Sequence, residues 1–383
     1  MAKNRTLLKV SLLSTCLIWA SINAITANIP EMAKSFSNVD LYMVELIATV
    51  PSLFQMLSVL LSAPIAKRFG LKSTCSLGLL LCGVFGVLPI FIQDFYVVFA
   101  SRCVFGVGCG LIVSNALSLI IEFFEGPERS SVIGLQGSVG GLGSAVTALV
   151  AGRLLAFGWN WSFVVYALAF LVLALFNFGV PSGNAADETQ AGTAATSDRG
   201  GSVGYLLLQA AFMFCSILTL TLFVVKASTY IVGAGLGDAQ QGSLAITLVS
   251  VGSLVAGALY GKIRSALSDF ALVVFMVIGA AGFFVAAFFS SFAAVMVASF
   301  LIGYSMMALV PHLQENVSVR CADLGQLGTN TILVSQALGA FGAPYLGTLL
   351  GRFVPGLQGQ FLVCGVIFCV LAVVAAVMPR GKA

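Results

Sequence analysis

Charge is what this sequence has least of. Of its 383 residues, 18 are Lys or Arg, 14 are Asp or Glu and one is His, so only 8% are charged. A water-soluble domain carries roughly 25% charged residues, and this chain could not cover its surface in water. The nine cysteines contain no Cys-x-x-Cys pair and read as small buried hydrophobes. With His312 as the single histidine, no metal site and no cofactor are expected. No G-x-x-x-x-G-K-[ST] phosphate loop occurs, which argues against ATP as the energy source. Clustered acids, histidines or a nucleophile–base pair are missing too, so the chain does not read as an enzyme. The net charge of +4 is spread over helix ends rather than gathered in a patch, which excludes nucleic acid as a partner.

Apolar runs are what is there instead. The chain is 59% hydrophobic with a mean hydropathy of +1.06. About 20 apolar helical residues cross the ~30 Å hydrocarbon layer, where the backbone must satisfy its own hydrogen bonds. About twelve runs of that length follow one another, the first at about 6–29 and the last at about 358–378. The fold class is therefore an all-α integral membrane protein. The one long polar, low-complexity stretch, "PSGNAADETQAGTAATSDRGGS" (Pro181 to Ser202), reads as a flexible linker. It divides the chain into residues 1–180, a linker 181–202 and residues 203–383, six spans on either side. Most Lys and Arg fall on one side if both termini are cytoplasmic, so the chain reads as a multi-pass protein of the cytoplasmic membrane.

The halves echo one another at a nearly constant offset. "APIAKRFGLK" answers "GALYGKIRSAL", Gly106 answers Gly303, "AGRLL" answers "LGRFV", and Phe163 answers Phe361. Internal duplication of this kind marks secondary transporters. Five stretches then carry a resemblance over nearly the whole chain: "ANIPEMAKSF", "APIAKRFGLK", "RCVFGVGCG", "PERSSVIGL" and "FGWNWSF". They resemble the helix 1, loop 2–3, helix 4, loop 4–5 and helix 6 patterns of the major facilitator superfamily, in particular its twelve-span drug and metabolite exporters of the proton-antiporter type. The resemblance implies two pseudo-symmetric six-helix bundles working by alternating access on a small-molecule substrate. It also implies protons or sodium as coupling ion, lipids as surroundings and a monomer.

Site candidates follow from scarcity. Arg102 lies inside the fourth span, where an unpaired guanidinium costs at least ~2.5–3.5 kcal/mol and must face protein or water. Its match to the helix 4 motif arginine implies a role in proton coupling; the plainer alternative is a structural or snorkelling arginine. The proton carriers to pair with it are Glu45, about a turn into the second span, and then Glu31, although a solvated helix end is the plainer reading of each. Burial disfavours a carboxylate's charge and a nearby cation favours it, an opposition suited to a load-and-release switch. Lys226 either snorkels to the headgroups or points into the cavity, where with Arg102 it would suit an anionic or zwitterionic substrate. Trp19, Asn23, Asn115, Gln136, Phe212, Tyr304 and Gln336 lie near mid-span as possible lining, each as readily a helix–helix contact. Lys67, Arg68, Gly70 and Gly106 belong to the loop and gating motifs. The glycine faces "GLQGSVGGLGSAV" and "GAFGAPYLG" suit either close packing or sliding.

Three departures from the family pattern stand out. Lys67 occupies the place of the loop 2–3 acid, Ser21 falls at about the helix 1 acid of proton antiporters, and the helix 5 G-P motif has no proline. The leading expectation is a proton-coupled exporter. An uptake symporter or uniporter for an organic anion comes second, and a lipid or glycolipid flippase is more remote.

Overall fold

A residue that enters the bilayer as helix satisfies its own backbone, and this chain does so almost throughout. The computed structural model describes residues 2–181, 199–267, 270–321, 324, 326–354 and 356–377. Most of the 181–202 segment therefore lies outside the described residues. Every regular element among those described is helical. In the first half these are α1 (Ala2–Ala20), α2 (Ile29–Ser35), α3 (Leu41–Phe69), α4 (Leu71–Val87), α5 (Phe95–Phe123), α6 (Gly126–Leu154) and α7 (Leu168–Gly179). In the second they are α8 (Arg199–Gly233), α9 (Ala239–Leu267), α10 (Ala271–Phe288), α11 (Phe292–Arg320), α12 (Gln326–Phe353) and α13 (Leu357–Val377). Among the described residues, twelve helical stretches are long and apolar enough to cross a membrane. The first runs from Arg5 to Ser35, further than the apolar run alone suggests, because α1 passes through two 3₁₀ turns into α2.

Contacts divide the chain into two compact units, Met1–Gln190 and Ala191–Ala383. Aromatic side chains fill the centre of each: Phe105, Phe163, Tyr166 and Phe176 in the first, Phe223, Phe275, Phe283, Phe361 and Phe368 in the second. Glycine sets how closely the helices approach, as small residues do in lipid. A β-carbon on Gly106 of α5 would lie 2.8 Å from the Cα of Pro51 on α3; one on Gly303 of α11 would lie 2.7 Å from the Cα of Val249 on α9. Likewise Gly83 packs on Phe170 and Gly279 on Phe368. The partners in each pair of contacts lie 196 to 198 positions apart, so the sequence echo is an echo of packing. Gly106 thus packs α5 directly against the backbone of α3. The two glycine faces are likewise packed inside their own units. Gly140 and Gly143 of α6 abut Trp19 and Leu17 of α1, while Gly339 and Gly347 of α12 abut Phe214, Ile217, Leu218, Leu222 and Lys226 of α8.

The basic elbow between α3 and α4 turns on Gly70, whose φ of +85° and ψ of 152° suit only glycine. No atom lies within 4 Å of where its β-carbon would be, so conformation rather than space demands the glycine. Lys67 and Arg68 are exposed in the last turn of α3, where cations favour the negative end of the helix dipole, and Arg68 stacks over Phe69. Gly158 (φ +122°) makes the corresponding turn before Trp159. The Trp159 indole then donates to Ser35 Oγ, and Asn28 donates to the Trp159 carbonyl, which fastens α2 to the start of the sixth span.

Candidate functional site

Two breaks in helical hydrogen bonding create the site. Pro51 stands inside α3 without an N–H, so the carbonyl of Ile47, four residues earlier, loses its helical donor. In the first span, the α-helix gives way to a 3₁₀ turn at Ser21–Asn23, where the ordinary pattern of acceptors is interrupted. Arg102 of α5 uses both. Its Nε donates to the Ile47 carbonyl (3.2 Å) and its Nη2 to the Ile22 carbonyl (2.9 Å). The guanidinium also stacks over the Phe105 and Tyr166 rings, at 4.6 and 5.2 Å from their centroids. Tyr166 in turn donates its hydroxyl to the Ser21 carbonyl. Arg102 is fully buried, held by three other segments of the first unit and by Phe105 of its own helix.

Four residues after Arg102, Gly106 lets α5 approach the backbone of Pro51, so the glycine that brings the helices together and the arginine that bridges them lie one turn apart. Glu45 is on the same stretch of α3, two residues before Ile47, and is also fully buried. It is no solvated helix end. Thr49, one helical turn after Glu45, places a further buried hydroxyl on that face. The repeat positions in the second unit carry Ser299 for Arg102 and Ser243 for Glu45. Both serines are buried and bond back into their own helices, through the Val295 and Gln240 carbonyls. Val249 stands where the first unit has Pro51. The charged arrangement is thus confined to one of two otherwise similar units.

The remaining candidates separate. Glu31 pairs with Lys34 at 2.7 Å on α2, its side chain 38% exposed, and takes no part in the contacts of Arg102. Asp94 caps α5 by accepting from the amides of Tyr96 and Val97. Asn115 donates to Leu111 of its own helix, and Phe212 lies in the apolar core of the second unit. Cys16 gathers Trp19 and Gln136 around its thiol between α1 and α6. Asn23 ends the first 3₁₀ turn, half-buried, and its carbonyl accepts from Thr26. Tyr304 and Gln336 are half-buried on α11 and α12. Lys226 is buried on α8, not snorkelled, and its Cε would lie 2.9 Å from a β-carbon on Gly347. Sequence reasoning passed over Pro51, Tyr166 and the Ile22 carbonyl. Of these only Pro51 left a signal, a proline in the middle of a span.

Comparison with known proteins agrees with this architecture. The sequence profile of the Major Facilitator Superfamily matches residues 11–328. The multidrug transporter AQR1 of Candida glabrata is 26% identical over 161 residues, which are 42% of this chain and 27% of that protein. The multidrug efflux pump SdrM of Staphylococcus aureus is 26% identical over 168 residues, 42% of this chain and 37% of the relative. The quinolone resistance protein NorB of the same species is 23% identical over 180 residues, 46% and 38% of the two chains. The matched part of this chain spans well under half the length of these curated relatives.

Proposed function

Because the chain belongs to the Major Facilitator Superfamily, a family of membrane transporters, we propose that it exports a small organic molecule by alternating access, driven by protons. It acts in the cytoplasmic membrane with both termini inside, its units the six-span halves 1–180 and 203–383. The observation that carries this reading is the burial of both an arginine, Arg102, and an acid, Glu45, on neighbouring helices of the first unit. Ionisable groups are rare in spans and mark ion pathways and proton relays. The names of the relatives AQR1 and SdrM support a drug or metabolite as cargo.

Arg102 supplies a constant positive charge, since a guanidinium keeps its proton. Glu45 is the group that gains and loses one. When it does, the charge balance against Arg102 changes by one unit, and so does the hold of the guanidinium on the first span through the Ile22 carbonyl. A proton is thereby coupled to the geometry of a broken helix. The test is purified protein in proteoliposomes with an imposed pH gradient and fluorescent dyes of either charge as probes. Uphill dye movement that collapses with the gradient is expected, whereas uphill movement indifferent to the gradient would overturn proton coupling.

A second reading, uptake or facilitated flux of an organic anion, is favoured by buried Lys226. Among the described residues the acids of the second unit are Asp238 and Glu315, and both are exposed. Downhill anion flux without dependence on any gradient would favour that reading over the first.

A further inference from the structure

The third and sixth spans meet along an antiparallel seam. At one end Lys72 Nζ of α4 donates to the Asn177 carbonyl of α7 (3.0 Å), and Ser76 Oγ donates to Asn177 Oδ1 (2.9 Å). Further along, Gly83 packs on Phe170 and Gly86 on Tyr166, so the contacts advance along α4 as they retreat along the sixth span. Beside this contact line Leu77, Leu80 and Val84 form one exposed stripe on α4, and Leu171 and Phe178 form another on α7. Each stripe lies roughly a quarter-turn round its helix from the line of contact, in the same rotational sense. For antiparallel helices that puts both stripes on one side of the seam. The result is an apolar strip two helices wide with a polar lip.

The lip is basic. Lys67 and Arg68 are exposed in the last turn of α3, Gly70 turns the chain, and Lys72 follows in the first turn of α4. No Asp or Glu occurs between Glu45 and Asp94, and among the described residues none of the three cations pairs with a carboxylate. Lys72 gives a proton to a neutral carbonyl, which fixes its place at the seam and leaves its charge uncompensated. The second unit lacks this arrangement. By the offsets that relate Gly83 to Gly279 and Phe170 to Phe368, Leu272 and Ala375 stand where Ser76 and Asn177 bond, and the elbow there carries Asp269 besides Lys262 and Arg264. We propose that the lip and strip of the first unit dock an anionic phospholipid of the surrounding bilayer. Its phosphate lies at Lys72, with Lys67 and Arg68 as supporting charge, and its acyl chains follow the strip between α4 and α7. Juxtamembrane cations attract anionic headgroups at short range, which favours this lipid over a zwitterionic one. The apolar strip favours a lipid over free phosphate, which has no chain to lay on it.

The inference holds whatever the cargo, and its test is tryptophan quenching by brominated lipids in phosphatidylcholine vesicles holding the purified full chain. Leu80→Trp places a reporter on the strip, about 12 Å along α4 from Lys72 at 1.5 Å of rise per residue. Leu142→Trp places a control reporter on the exposed face of α6. Both signals are read as differences from the wild-type chain. At Leu80→Trp, brominated phosphatidylglycerol is expected to associate on the order of tenfold more strongly than brominated phosphatidylcholine, with no such preference at Leu142→Trp. Replacing Lys67, Arg68 and Lys72 together by Gln should abolish the preference, and Lys72→Gln alone should cut it roughly fivefold. Replacing the exposed Lys34, Arg153 and Arg352 by Gln should leave it intact. Equal association of the two lipids at Leu80→Trp, or the same preference at both reporters, would overturn the site. So would a preference that survives the elbow substitutions, one removed equally by the remote substitutions, or one lost to inorganic phosphate at matched ionic strength.

Discussion

The Nε of Arg102 donates to the Ile47 carbonyl across 3.2 Å, and that carbonyl is the one Pro51 leaves without a helical donor. A proline on one helix thus prepares the acceptor for an arginine on the next. The relationship predicts that Arg102→Ala, still inserted in the membrane, loses gradient-driven flux in proteoliposomes. Arg102→Lys should fail as well, because one ammonium cannot reproduce the planar fork that reaches two carbonyls while stacking on two rings. Pro51→Ala restores the missing N–H and competes for Ile47. It should keep or raise thermal stability while lowering transport. Wild-type flux in that variant would show that the freed carbonyl has no functional part.

Glu45 and Glu31 make opposite predictions. Glu45→Gln removes the buried acid of α3, so remaining flux should no longer vary with pH. Glu31→Gln breaks an exposed pair worth about 0–1 kcal/mol and should leave both flux and its pH profile as they were. The pH profile of initial rates in proteoliposomes separates the two.

Gly106 and Gly303 carry matching contacts, so their variants should behave alike. Gly106→Val and Gly303→Val each force a side chain into the backbone of a neighbouring helix, at Pro51 and Val249. Losses of about 1–3 kcal/mol each are expected from such overpacking. Gly204→Ala, with nothing within 4 Å, should leave the melting temperature in detergent unchanged. Equal stability across all three would remove the packing argument.

Glu128, before the fifth span, accepts from Lys9 at 2.7 Å and Arg5 at 2.9 Å. The Lys9 hydrogen bond, with the two cationic charges, holds its carboxyl below the usual glutamate value. A lowered folded-state value adds stability above the ordinary pKa of about 4.3, and that stability is lost as pH falls through the lowered value. Glu128→Gln should therefore melt below wild type near neutrality, and the difference should close on acidification. A gap that persists unchanged into acid would assign it to something other than ionisation.

Composition and run length were enough to determine that this chain crosses a membrane about twelve times, because lipid accepts little but long apolar helices. The duplication was equally legible, since packing glycines such as Gly106 and Gly303 recur where helices must touch. Gly70 announced its turn for the same local reason. What the sequence could not decide was which isolated polar residue meets which. Arg102 was conspicuous, but its acceptors are backbone carbonyls of Ile22 and Ile47, and a carbonyl has no letter of its own. Whether a charge near a span end is wetted or buried also depends on the neighbouring helices: Glu45 and Lys226 are enclosed, while Glu31 pairs at the surface. The rings of Tyr230 and Phe361, 131 positions apart in the chain, meet only because the folded helices of the second unit bring them together.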